Sequence, residues 1–174
     1  MKRVALFLAI TFSLGGCSTD SSNSIQGEVV NCESINLKKG ELSPLECLGG
    51  GAPIATDEIA GPALINVWGT WCKPCREELP HLAEFYEKSK ERVDVIGIAV
   101  EERSQAVVAK FIENNGMNWP VLYDADGSTK AEFGLGVPVT WFVDADGEVQ
   151  YKKFGPFRSL EEIEMATRKY LGVK

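Results

Sequence analysis

The chain is short of positive charge and almost without histidine. Its 174 residues hold 18 Lys and Arg against 25 Asp and Glu, a formal net charge of −7, and the one histidine is His81. So acidic a chain has no basic footprint for nucleic acid. It also has no polybasic stretch for anionic lipid. A zinc site would have to rest on cysteine, because imidazole ligands are missing. An apolar run long enough to cross a bilayer is absent too. The longest at the amino end, Val4 to Leu14, is about a dozen residues and is interrupted by Thr11 and Ser13. The length suits one domain with a real core and is too small for two comfortable ones.

What is present begins with a leader. Lys2 and Arg3 precede the apolar run, and the small residues Gly15 and Gly16 follow it, the pattern of a signal peptide. Leu14-Gly15-Gly16-Cys17 resembles the lipobox of bacterial lipoproteins. That resemblance implies cleavage before Cys17 and a lipid on its sulfur, placing the mature protein outside the cytoplasm on a bacterial membrane. Residues 1–16 are then the signal peptide, 17–30 a tether with a Ser/Asn/Asp-rich start, and 31–174 the folded domain. A soluble secreted protein with an ordinary cleavage site is the alternative.

The cysteine count fits this organisation. There are five, Cys17, Cys32, Cys47, Cys72 and Cys75, and an odd number in an exported protein needs a reason. With lipid on Cys17, two pairs remain. Cys72 and Cys75 are separated by two residues and pair naturally, which leaves Cys32 for Cys47. A bond between those two closes a loop of about 16 residues, stabilising by about 3 kcal/mol in the chain-entropy model. It reads as structural; a second redox pair relaying electrons to the first is the alternative. A four-cysteine zinc site does not fit, since the spacing of Cys32 and Cys47 is no second knuckle and exported cysteines favour disulfides. His81 lies on the helix of Cys75 and cannot easily join Cys72.

Strand-like and helix-like segments alternate after about residue 53. Ala63 to Trp68, Val93 to Val100 and Val139 to Val143 are short apolar runs of the kind buried strands need. Lys73 to about Lys90 has helical spacing, with Leu79, Leu82 and Tyr86 on one stripe. Ser104 to Asn115 repeats apolar pairs and stops at Gly116. Pro120 to Tyr123 reads as a short strand, followed by a brief helix ending near Gly134. Asp146-Gly147 turns a hairpin into Glu148 to Phe154. Ser159-Leu160-Glu161-Glu162 is a capping box for a last helix to Leu171. The DADG at 124–127 recurs at 144–147, but the flanks differ, so these are two independent turns. The fold class is α/β: a central mixed β-sheet with helices on both faces. Residues 25–52 read only as a small hairpin or loop ahead of the sheet.

The chemistry sits in ALINVWGTWCKPCREELP. A buried strand ends at Gly69 and a helix opens at the cysteines. Cys72 is therefore at a helix N-terminus, where unpaired N–H groups and the helix dipole favour a thiolate and lower its pKa below about 8.5. Lys73 adds nearby positive charge, and Pro74 suits a first turn. Cys75 lies one turn on, more deeply placed. Cys72 is thus the attacking sulfur and Cys75 the resolving one. A merely structural bond here would close too small a loop to stabilise much.

Trp71-Cys72-Lys73-Pro74-Cys75 after an apolar strand, with Pro80 beyond, resembles the thioredoxin superfamily. Within it the chain is similar to the membrane-anchored TlpA/ResA branch of thiol–disulfide oxidoreductases, over about residues 47–172. Glu77-Glu78-Leu79-Pro80, an added strand–helix unit near 102–123, Gly136-Val137-Pro138-Val139-Thr140 and the lipoprotein start carry the likeness. It implies a thioredoxin-like fold and a cis Val137–Pro138 bond against the cysteines, with the Val137 backbone open to a substrate strand. It implies proton handling by Glu78, which by spacing alone is a solvated helix glutamate; Glu101 is a second acidic candidate. Asn66 stands where cytosolic thioredoxins carry a buried aspartate, so any proton relay needs another acid or water. Trp71 and Trp68 are expected to form apolar surface around the site, with core packing the alternative for Trp68.

No cofactor or metal is called for, since the two sulfurs carry the electrons. The expected partners are exported proteins with cysteines or disulfides and a membrane thiol carrier as electron donor. A reductant, for example for the haem-attachment cysteines of apocytochromes c, is the reading the resemblance favours. Lys-Pro between the cysteines also lacks the histidine of strongly oxidising members. An oxidant or isomerase uses the same residues at another potential. A non-catalytic binding module would show no thiol dependence. A peroxidase would need a lone peroxidatic cysteine in a Thr-x-x-Cys setting.

Overall fold

The computed structural model describes residues 26–134 and 136–173. The expected signal peptide, Cys17 and most of the tether lie outside the described residues. Two strands buried along nearly their whole length form the centre of the sheet. β2 (Ala63–Trp68) and β3 (Asp94–Val100) run parallel, with Ala63 opposite Asp94 and Trp68 opposite Ala99. Their near-continuous apolar sequence is what a strand covered on both faces requires. β4 (Val121–Asp124) continues parallel beside β3, while β5 (Val139–Val143) lies antiparallel to β2 and β6 (Val149–Phe154) antiparallel to β5. A two-residue strand, β1 (Glu46–Cys47), pairs antiparallel with β4, giving the order β1-β4-β3-β2-β5-β6.

The helices α1 (Lys73–Ser89), α2 (Gln105–Asn114), α3 (Lys130–Phe133) and α4 (Leu160–Leu171) cover the two faces unequally. The chain steps from β2 to β3 to β4 in one direction, so right-handed crossovers put α1 and α2 on the same face. The period of two along β2 records this. Leu64 and Trp68 pack with Leu79, Leu82 and Phe85 of α1, Val108 and Ile112 of α2 and Ile163 of α4. Ile65 and Val67 face the other way, onto Ile35, Leu45, Ile54, Ile59 and Phe133 of α3. Phe85 completes the buried stripe of α1, while Tyr86 is only partly buried. The cap of α4 is half as expected. Ser159 Oγ accepts the Glu162 N–H at 3.2 Å, but the Glu162 carboxylate takes the N–H of Arg158, at 2.9 Å.

The N-terminal segment, barely legible in the sequence, clamps the second face. Leu37 bridges Ile59 and Leu45 bridges Ile54, and a disulfide joins Cys32 to Cys47. Within the stretch assigned to the tether, the Gly27 N–H donates to the Glu113 carbonyl at 2.8 Å and the Glu28 N–H to that of Met117 at 3.0 Å. A Cβ at Gly27 would sit 2.2 Å from the Ile112 carbonyl oxygen, so glycine alone permits this approach. Among the described residues, no helix is long and apolar enough to cross a membrane.

Candidate active site

β2 hands over to α1 through Gly69-Thr70-Trp71, and Cys72 is the N-cap. Its extended backbone (φ −83°, ψ 107°) directs the sulfur back over the first turn, where the Cys75 N–H donates to Cys72 Sγ at 3.1 Å. That N–H is one of the four a helix start leaves unpaired. Cys72 and Cys75 are joined by a disulfide, and both are buried, at 4% and 1% exposure. Cys72 Sγ also lies 3.7 Å from the carbonyl oxygen of Val137. The Val137–Pro138 peptide is cis, and β5 starts at the next residue. The residues expected to meet, Cys72, Cys75, Val137 and Pro138, are thus brought together at one end of the sheet, where β2 finishes beside the start of the antiparallel β5.

The two tryptophans part company. Trp71 is 53% exposed, and its indole N–H donates to the Val100 carbonyl at 3.4 Å. With Val67, Val100, Phe133 and Val137 it lines a cavity of about 270 Å³ beside the disulfide. Trp68 is fully buried in the core, because period-two alternation turns it toward α1 and α2. Lys73 is exposed and faces Glu77 at 3.7 Å, so its charge is shared with a solvated partner.

Glu78 is not the solvated glutamate that spacing alone suggests. One turn beyond Cys75, it falls on the sheet-facing side of α1 and is completely buried. Glu78 Oε1 accepts from Asn66 Nδ2 at 2.9 Å, and Oε2 accepts the N–H of Phe157, just ahead of α4, at 2.9 Å. Asn66 Nδ2 donates in turn to Thr140 Oγ1 at 3.0 Å, while its Oδ1 is buried without a partner. Burial raises the Glu78 pKa to about 7, against the opposing pull of the Phe157 and Asn66 hydrogen bonds. A buried acid that exchanges its proton near neutrality therefore stands one turn from Cys75. Asn66, unable to accept that proton, ties the acid to β2 and β5.

Of the acidic pair that ends β3, the inner one is Glu102. Glu101 adopts a left-handed φ of 54° and points outward to Lys130, at 2.5 Å. The reversal turns Glu102 inward. Its carboxylate accepts both the backbone N–H of Thr70 and the Thr70 hydroxyl, the latter at 2.8 Å. Two adjacent glutamates after a buried strand were the signal for this contact, but only the backbone reversal decides which one enters. Among the described residues, no cluster of three or more His, Cys, Asp and Glu could hold a metal ion.

A family model described as "AhpC/TSA family" matches residues 37–152. The chain is 28% identical to the thiol-disulfide oxidoreductase ResA of Bacillus cereus over 94% of its own length and 95% of the relative's. It is 34% identical to the ResA of Geobacillus thermodenitrificans, over 68% of its length and 70% of the relative's. The crystal structure of StoA from Bacillus subtilis superimposes with a TM-score of 0.59 at 25% identity, covering 72% of this chain and 95% of that one. The chain therefore belongs to the AhpC/TSA family, and it is a thiol–disulfide oxidoreductase of thioredoxin-like fold.

Proposed function

We propose that this oxidoreductase works outside the cytoplasm, anchored by lipid on Cys17, as a reductant of exported proteins such as apocytochromes c. The observation that carries the assignment of roles is the Cys75 N–H aimed at Cys72 Sγ across the start of α1. A sulfur in that position is favoured as an anion. In the reduced enzyme the Cys72 thiolate attacks one sulfur of a substrate disulfide. A mixed disulfide forms, the substrate S–S bond breaks, and the first substrate thiolate leaves and takes a proton. Cys75 then gives its proton to Glu78 and attacks Cys72 Sγ. The second substrate thiolate leaves, and the enzyme is left with the Cys72–Cys75 disulfide. Two electrons have passed to the substrate, and a membrane thiol carrier restores them.

The substrate segment lies along the Val137 backbone, with an apolar side chain in the cavity beside Trp71. Pro138 keeps a backbone N–H away from the sulfurs. Cys32–Cys47 acts as a structural staple, being buried on the second face, away from the α1 start. A Cys75→Ser variant tests the assignment: it accumulates mixed disulfides through Cys72, and their identification names the substrates. Failure to trap any sinks the reading. The direction is tested by the potential of the pair, expected near about −270 mV; a value near about −120 mV means an oxidant instead.

A further inference from the structure

We propose that Glu102 is a positioning residue for the redox turn, and that its buried negative charge opposes ionisation of the Cys72 thiol. The inference rests on Cys72 being the attacking sulfur. Thr70 sits between β2 and α1, where no strand ladder or helix supplies a partner for its N–H. Glu102 supplies one and takes the hydroxyl as well, a two-point grip on the residue two places before Cys72. The grip is itself anchored. Tyr123 Oη donates to the Glu102 carbonyl at 3.2 Å, and the left-handed Glu101 fixes the reversal. Trp71 is held by the carbonyl of Val100, so successive residues of the turn rest on the end of β3 and the two residues after it.

The same contact places a charge. The turn is tight, with the Cys72 N–H donating to the Gly69 carbonyl at 3.0 Å, and this keeps the Glu102 carboxylate within about 12 Å of Cys72 Sγ. Its donors on Thr70 are both neutral, and the residue is only 7% exposed. The other charges around the turn are Arg76, whose guanidinium donates to the Thr70 carbonyl at 3.3 Å, Arg103, the Lys130–Glu101 pair and the Lys73–Glu77 pair. Lys130 is half-buried and the rest are exposed, so solvent screens all of them. Between α1 and the sheet the titratable group is Glu78, on α1 itself and held by Asn66 of β2. Glu102 is therefore the buried charge on the loop side, and it works against the helix start.

The test uses the full chain carrying Cys75→Ser, reduced mildly so that Cys32–Cys47 stays closed, with and without E102Q. Cys72 alkylation by iodoacetamide is followed across a pH series by peptide mapping. A glutamine keeps both bonds to Thr70, by accepting the N–H and donating to the hydroxyl, and removes only the charge. The midpoint is expected to move to lower pH, with alkylation at about pH 6 rising about fivefold. In E102A the Thr70 amide should also exchange its hydrogen faster, while E102Q keeps it protected. An E102Q profile that superimposes on its parent, or moves to higher pH, overturns the charge role. Unchanged Thr70 exchange in E102A overturns the positioning role. An E102Q variant, freed of the charge, whose Cys72 still titrates like free cysteine overturns the reading of the site instead, a result separate from the difference between variants.

Discussion

Replacing Glu78 by glutamine removes a proton-binding group whose folded and unfolded affinities differ, and the cost can be worked out. Unfolded, the carboxyl titrates at the ordinary 4.5; folded, it titrates at about 7. Between those values the folded chain binds more protons than the unfolded one, so stability falls as pH rises. Below about 4.5 both states are protonated and the penalty is absent; above about 7 it is complete. A gap of about 2.5 units corresponds to about 3 kcal/mol. Glutamine is neutral throughout and can still accept the Phe157 N–H. Its amide can donate to Asn66 once that side chain turns its unpartnered Oδ1 inward. E78Q should therefore match the parent at about pH 4 and exceed it by about 2 to 3 kcal/mol at about pH 8. Urea unfolding of the oxidised proteins across this range measures the difference, and titrations shared by both cancel. A constant gap between the two curves would refute the buried, proton-holding Glu78. The same variant should resolve mixed disulfides more slowly despite its greater stability, because Cys75 loses its proton acceptor.

Two further outcomes test the surroundings. Asn66→Ala takes away a hydrogen bond that lowers the Glu78 pKa, so the side-chain carboxyl, followed by carbon NMR, should titrate above about 7; an unchanged or lower value counts against the link. Replacing both Cys32 and Cys47 by alanine should cost about 3 kcal/mol in unfolding, from a loop with sequence separation 15. The Cys72 alkylation profile should stay in place, and a profile that moved with it would favour a relay over a staple.

Much of the scaffold was legible because its strands are buried. Ala63–Trp68, Asp94–Val100 and Val139–Val143 announce themselves as apolar runs, and only the start of the second differs from expectation, by one residue. The Cys72–Cys75 disulfide was legible from its spacing at a strand-to-helix junction. Side-chain depth was not. Glu78 looks solvated because a glutamate inside a helix usually is, and only the rotation of α1 against the sheet and the donors from Asn66 and Phe157 allow it inside. Those donors are far away in sequence, and one is a backbone group that no residue type reveals. Glu102 was missed in favour of its neighbour because the choice depends on one positive φ. The first strand escaped notice because two residues carry no periodicity.

The two margins of the sheet are guarded by different means. β6 ends the sheet on one side with Lys152 and Lys153 in its sequence, and cations deter another chain from adding a strand there. On the other side β4 is covered by two residues of β1, one of which is the sulfur partner of Cys32. Opening that bond removes the covalent hold on the strand that covers β4. On the proposed reading of an exported protein, the bond that closes in an oxidising space therefore also secures this margin of the sheet.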